Sequence, residues 1–385
     1  MLILKLKKSI LLFPLIPFLL FFAFSFCQAA TLYLIPQSQN IYQGDSLIID
    51  LRLDAESEEI NTAEVNLNFS SDLFEIIEFN KGDSIFTFWP EEPELKNNII
   101  SFMGGVPGGF RGKGSLLKIN LRAKETGQAT IFFKNDSRVL LNDGKGTLAE
   151  LSLLEGNYEV SEKPEGLIVI SSRSCPDQNK WYSLKSLHLH WDLIEGAEYS
   201  YLLSRDPLAE PDETADRPGG ELIWMGDMEY DLKAEGDGVY YFTLRPRLPS
   251  EDWSKEISRF RAMIDSTPPE DFKPEIGQES SVFEGKYFLS FVAQDTTSGI
   301  DHYEVAELTR TLWGSAEEQW ETAKSPYLLK DQSLKSIIKI RAVDKAGNER
   351  VIEYLPPKEM PIYLIVILIL VGAGVIWWIV KKHET

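Results

Sequence analysis

Apolar and polar residues alternate in short runs over most of the chain. In Glu64-Val65-Asn66-Leu67-Asn68-Phe69-Ser70 the alternation is strict, which is the period of a half-buried β-strand. Val65, Leu67 and Phe69 are then expected to face a core, and Glu64, Asn66, Asn68 and Ser70 to face out. Residues 47–53, 99–103, 116–122 and 129–133 are further strand-like runs, separated by clusters of turn residues. Few stretches carry the period of a helix. Two stretches near the ends break the pattern. Lys5, Lys7 and Lys8 precede an uncharged apolar run over 9–26 and then Cys27-Gln28-Ala29-Ala30, the layout of a secretory signal. The length of that run and its two prolines, Pro14 and Pro17, leave an uncleaved anchor as the competing reading. Residues 362–380 carry no charge, and nineteen positions at about 1.5 Å of rise match a hydrocarbon core of about 30 Å. Trp377 and Trp378 followed by Lys381 and Lys382 predict a transmembrane helix with a cytoplasmic tail over 381–385. The expected localisation is the cell membrane, single-pass, with an extracellular amino-terminal ectodomain.

Residues 31–357 are too many for one core and suit about three domains of roughly a hundred residues. Breaks fall at 161–166, rich in polar residues with Pro164 and Gly166, and at 265–270, where Pro268 and Pro269 bar both helix and ladder pairing. The expected division is a signal over 1–30, domains over 31–160, 161–265 and 266–357, the membrane helix over 362–380, and the tail. Residues 191–203 match 293–308 in strand, acidic turn and tyrosine-bearing strand, and 240–245 match 336–341, as in diverged copies of one module. The fold class is therefore all-β, tandem β-sandwiches with one carboxyl-terminal transmembrane helix.

Ile337-Ile338-Lys339-Ile340-Arg341-Ala342-Val343-Asp344-Lys345-Ala346-Gly347-Asn348-Glu349, with Asp295-Thr296-Thr297-Ser298-Gly299-Ile300 before it, resembles the strands and turns of bacterial immunoglobulin-like and fibronectin type III-like modules. The middle segment is similar to them more distantly. Such modules usually act as spacers or adhesive units. The first segment carries Tyr42-Gln43-Gly44-Asp45-Ser46 before a long apolar strand, then Asp72-Leu73-Phe74-Glu75-Ile76, Ile99-Ile100-Ser101-Phe102 and Gly112-Lys113-Gly114-Ser115-Leu116-Leu117-Lys118-Ile119. In that order it resembles a cohesin domain, a nine-stranded jelly-roll sandwich whose members bind dockerin modules. The resemblance implies docking on one flat sheet face, which makes Glu64, Asn66, Asn68 and Ser70 the candidate contacts. Many cohesins have Tyr-Asp-Pro at the end of this strand; Phe69-Ser70-Ser71 stand here, without the Asp contact. The competing reading is that these four residues are the solvated half of an alternating strand.

The formal charge of −20 disfavours nucleic acid and anionic surfaces as partners. Removal of a signal would leave Cys175 as the one cysteine, so no intrachain disulfide is expected. Neither a Gly-x-Ser-x-Gly elbow nor a His-Glu-x-x-His motif occurs, while carboxylate pairs for glycoside hydrolysis stay open among 59 acidic residues. Gly104-Gly105-Val106-Pro107-Gly108-Gly109 lacks the Lys-Ser or Lys-Thr of a phosphate loop and reads as a flexible connection. His188 and His190 alternate with apolar residues at a metal-compatible spacing, but no third ligand is near. Asp136, Asp143, Asp295 and Asp344 could share an ion, although turn formation explains each more simply. Trp181, Trp191, Trp224, Trp253, Trp313 and Trp320 read first as core residues, and Trp89, in a Pro-rich stretch, as the exposed candidate for sugar stacking. No catalytic residue, metal or cofactor is expected. The expected function is that of a non-catalytic surface binder or scaffold for an extracellular protein module or a polysaccharide. The alternatives are a polysaccharide-degrading enzyme subunit and an envelope spacer.

Overall fold

The computed structural model describes residues 29–216, 227–231, 236–308, 310–311, 314–315, 318–355 and 370–374. Its first strands are β1 (Ala30–Ile35), β2 (Ser38–Tyr42), β3 (Ser46–Asp54), β4 (Ile60–Asn68), β5 (Phe74–Asn80), β6 (Phe88–Lys96), β7 (Ile99–Phe110), β8 (Lys113–Ala123), β9 (Gly127–Phe133), β10 (Arg138–Leu141), β11 (Leu151–Leu153) and β12 (Gly156–Ser161). They build two facing sheets, in the orders β11-β1-β3-β8-β5 and β2-β12-β9-β4-β7-β6, with β10 added to β4. The chain changes sheet between β1 and β2. β1 pairs parallel with β11 and β2 parallel with β12, and the other ladders are antiparallel. Leu32, Leu34, Ile49, Leu51, Val65 and Leu67 alternate inward and fill the space between the sheets, as strand pleating requires. The glycine-rich stretch expected to be a loose connection is instead the second half of β7. Gly104 is required there, because a Cβ would lie 2.1 Å from Cδ2 of the buried Phe86 ring.

The next strands are β13 (Ile170–Ser172), β14 (Trp181–Tyr182), β15 (Ser186–Trp191), β16 (Glu198–Ser204), β17 (Asp227–Asp231), β18 (Gly238–Arg247) and β19 (Ser258–Ile264). They form the sheets β13-β15-β17 and β14-β19-β18-β16 around a separate core that includes Trp191, Tyr199 and Phe242. After them come β20 (Glu275–Glu279), β21 (Val282–Ser290), β22 (Ile300–Leu308), β23 (Arg310–Thr311), β24 (Gly314–Ser315), β25 (Glu321–Ala323), β26 (Tyr327–Leu328), β27 (Ile337–Asp344) and β28 (Glu349–Tyr354). The sheets β20-β21-β26 and β25-β22-β27-β28 enclose a third core around Phe291, Val305 and Ile340. The run β16-β18-β19 and the run β22-β27-β28 share one antiparallel order. In each, the tyrosine of the first strand accepts a backbone N–H from the preceding turn: Tyr199 Oη from Ile194 at 2.7 Å and Tyr303 Oη from Ala293 at 2.9 Å. The internal repeat read from sequence thus has a shared hydrogen-bonding device.

The membrane placement needs correction. Among the described residues no helix is long and apolar enough to cross a membrane. Of the predicted span, residues 370–374 are described, and they are helical. This finding overturns the expected single-pass localisation. The remainder of that span, the tail and signal residues 1–28 lie outside the described residues.

The sandwiches touch at particular edges of the first. Tyr42 Oη, on β2, donates to Glu256 Oε2 at 2.5 Å. At the end of β5, Lys345 Nζ donates to Glu78 Oε1, and Gly82 packs against the backbone of Asp295 and Gly299.

Candidate functional site

The broad outer face of the first sandwich holds the predicted contacts. Glu64, Asn66 and Asn68 are half-buried on β4, alternating with the buried Val65 and Leu67. Register extends their row across neighbouring strands. Glu64 stands beside Met103 of β7 and Arg138 of β10; Asn66 beside Ser101; Asn68 beside Ile99 and, on β9, Phe132. β6 continues the row with Glu91, Glu94 and Lys96. Phe132 keeps 41% of its surface exposed. The Arg138 guanidinium sits 3.9 Å from Glu64, and the side-chain amides of Asn66 and Asn68 have no hydrogen-bond partner among the described residues. The backbone of β4 is pinned where β9 leaves it: Asn66 N donates to Ser137 Oγ at 3.0 Å, and Lys134 N donates to Asn66 O at 2.8 Å.

The other two predicted contacts lie apart. Ser70 follows β4, and its carbonyl accepts N–H groups of Leu73 and Phe74 at 3.2 and 3.0 Å, so it starts a turn. Trp89 is not on a loop but in β6, with its ring packed on the core side against Phe86 and Phe102 at centroid distances of 5.4 and 5.8 Å. Lys81 Nζ covers that ring at 5.2 Å. Phe132 was missed because Ile131-Phe132-Phe133 reads as a continuous apolar run. Its polar-phase position after Gln128 and Thr130 was the available signal.

A second cluster joins residues far apart in sequence. Asp265 follows β19, Asp295 lies in the turn before β22, and Asp344 ends β27; they are 0%, 6% and 2% exposed, and one carboxylate oxygen from each lies within 4.8 Å of the others. None makes an ion pair with a lysine or arginine among the described residues. Asp265 accepts N–H groups of Thr267 and Ser298 at 3.1 Å each, one on each oxygen. Asp344 Oδ1 accepts Ala346 N and Asn348 N, and Oδ2 accepts Asn348 Nδ2, at 2.8–2.9 Å. The donors to Asp295, among them Gly299 N at 2.7 Å, all reach Oδ1. Burial pushes the Asp265 carboxyl up to about 6, with Asp295 and Asp344 adding repulsion. Burial first and Asp295 second also raise Asp344. A calcium ion takes six to eight oxygens, whereas among the described residues Asp295 Oδ2 is the one carboxylate oxygen of the three residues without a donor. As arranged, the cluster is a hydrogen-bonded joint between the linker and two turns.

The remaining candidates resolve simply. His188 and His190 do share the outer side of β15, and no third ligand joins them among the described residues. Asp143 accepts Lys145 N at 2.9 Å and the Thr147 hydroxyl, a turn arrangement, and Asp136 lies 3.3 Å from Lys134. Trp181 and Trp191 are buried, Trp253 and Trp320 lie under Arg247 and Arg341, and Trp224 and Trp313 fall outside the described residues. Cys175 is buried, and burial pushes its thiol up, away from reactive thiolate.

No family model and no curated protein matches the chain. Among solved structures, a non-cellulosomal cohesin from the hyperthermophilic archaeon Archaeoglobus fulgidus is similar at TM-score 0.31 and 13% identity, over 36% of this chain and 94% of that one. A cohesin module from a Clostridium perfringens family 33 glycoside hydrolase is similar at TM-score 0.30 and 14% identity, over 35% of this chain and 98% of that one. A putative membrane anchored protein from Corynebacterium diphtheriae is similar at TM-score 0.21 and 8% identity, over 85% and 89%. Likenesses this slight say nothing of a partner or activity for this chain.

Proposed function

We propose that the chain is a non-catalytic binding or scaffold protein, in which the open sheet face of the first sandwich recognises a folded protein module and the other two sandwiches serve as supports. One observation carries the reading. Among the described residues, the contacts from the other sandwiches fall on β2 and on the end of β5, and none of them covers the outward row of β9, β4, β7 and β6. That row sets an exposed aromatic, Phe132, and the apolar Met103 and Ile99 among amides and hydroxyls. A few buried anchors ringed by polar groups are the usual energetic design of a protein interface. The cohesin-like order of the sequence motifs supports the same face.

The test is capture by the purified chain of a panel of dockerin modules and of insoluble polysaccharides. Saturable capture of a protein module is expected, weakened at least about tenfold in Phe132→Ala and in Asn66→Ala. Capture that ignores both substitutions, or retention of polysaccharide alone, would remove the reading. Sugar release from the polysaccharide would favour a hydrolase instead.

A further inference from the structure

Between the first and second sandwiches lies an open cleft of about 1100 Å³ that the sheet-face reading does not use. One wall is β2, every residue of which lines it; facing it are residues 167–170 and the start of β19. Among the described residues β2 is the edge strand of its sheet, bonded to β12 alone. Along a strand, backbone groups of successive residues point to opposite edges. Gln37 O accepts Asn157 N at 2.7 Å and Gln43 N donates to Ser161 O at 2.9 Å, so the odd-numbered residues face β12. Ser38 and Asn40, both exposed, therefore turn their N–H and C=O groups outward to the cleft.

Two further features describe an occupant. Val169 and Leu208 are apolar residues of the lining left 80% and 51% exposed. The lining is also acidic on balance, with five carboxylates against Lys163, Arg259 and the buried Arg261: Asp45 is paired with Lys163 and Glu210 with Arg259, while Glu162 and Asp177 have no ion pair among the described residues.

We propose that the cleft accepts an extended segment of a partner polypeptide, with basic and apolar side chains alternating, which adds as a strand to the outer edge of β2. An unpaired edge is a template for such addition: the main chain supplies affinity and alternate side chains supply specificity. Basic residues meet the acidic lining, and apolar ones meet Val169 and Leu208. A second copy of this chain fits less well, because it brings another −20 of charge to an acidic cleft.

The probe is a short synthetic peptide of alternating lysine and valine, with its glutamate–valine counterpart as control, titrated into the full chain. The lysine peptide is expected to saturate, to weaken as salt rises, and to slow hydrogen exchange at the Ser38 and Asn40 amides; the control should do none of these. Asn40→Pro removes one edge donor at a position where an edge strand tolerates proline, and should weaken binding at least about tenfold. Val169→Lys, on an exposed side chain, should weaken it by repulsion without disturbing folding. No saturable binding, protection at amides elsewhere, or occupation of the same cleft by neutral oligosaccharides would overturn the proposal. Phe132→Ala should leave peptide binding intact and Asn40→Pro should leave module capture intact, so each surface can fail alone.

Discussion

Asp331 shows how one residue can govern a turn. Its carboxylate accepts the backbone N–H groups of Ser333, Lys335 and Ser336 and the hydroxyls of Ser333 and Ser336, between 2.6 and 2.9 Å. These bonds, led by that from the Ser333 hydroxyl, hold its acid well below the usual carboxylate range. A depressed carboxyl contributes stability above its unfolded-state value near 4 and loses that contribution as pH falls. Asp331→Ala should therefore lower the third sandwich's stability by about 1–2 kcal/mol at neutral pH, with the gap closing in acid; a gap independent of pH in thermal melts would refute it. Gly104 makes a steric case. Gly104→Ala places a methyl group 2.1–2.6 Å from three atoms of the Phe86 ring, and overpacking of this kind costs about 1–3 kcal/mol, readable as a lower denaturant midpoint. At the centre of the second sandwich, Phe242 is fully buried against Trp191 and Tyr201. Phe242→Ala should cost about 3–5 kcal/mol, and a loss under 1 kcal/mol would mean that this core collapses around the gap.

Strands were legible wherever one side meets a core and the other water, as in β4, where the alternation fixes both pairing and facing. Legibility failed where backbone chemistry and tertiary packing outweighed local signals. Pro90 and Pro93 suggested a loop around Trp89, yet β6 is an edge strand that loses no inner ladder to proline. Its register shifts between Phe88, Glu91 and Glu94 absorb the irregularity. The glycines of β7 suggested slack, but the first of them makes room for an aromatic ring. Nothing local could have placed Asp265 beside Asp295 and Asp344, because only the docking of a linker onto two turns joins them. That joint has a measurable signature. A buried carboxyl held up to about 6 stabilises the fold below its ordinary value near 4 and loses that contribution as pH rises through 6. The melting temperature should fall across that window. Asp295→Asn keeps Oδ1 for its donors and removes a charge that raises both neighbours, so the fall should become shallower while burial of Asp265 keeps it from vanishing; an unchanged slope would show the three groups to be uncoupled.

Among the described residues of the whole molecule, the first sandwich is held by its edges and not by its broad face. The Lys345–Glu78 pair joins it to the third sandwich, with both side chains about four-fifths buried. Glu78→Lys places like charges there, and should increase the radius of gyration in small-angle scattering while leaving the melting of each sandwich nearly unchanged. An unaltered radius would assign the junction to the packing of Gly82 on Gly299 instead. The parallel pairing of β2 with β12 reaches further. These strands lie close to the two ends of the first sandwich and run side by side in one direction over five matched positions. A pull between residue 37, where β2 is entered, and residue 162 would load those rungs together, sideways, and could not peel them singly as in a hairpin. The unit is thus built to resist tension, and its resistance resides in the same short strand whose outer edge faces the cleft.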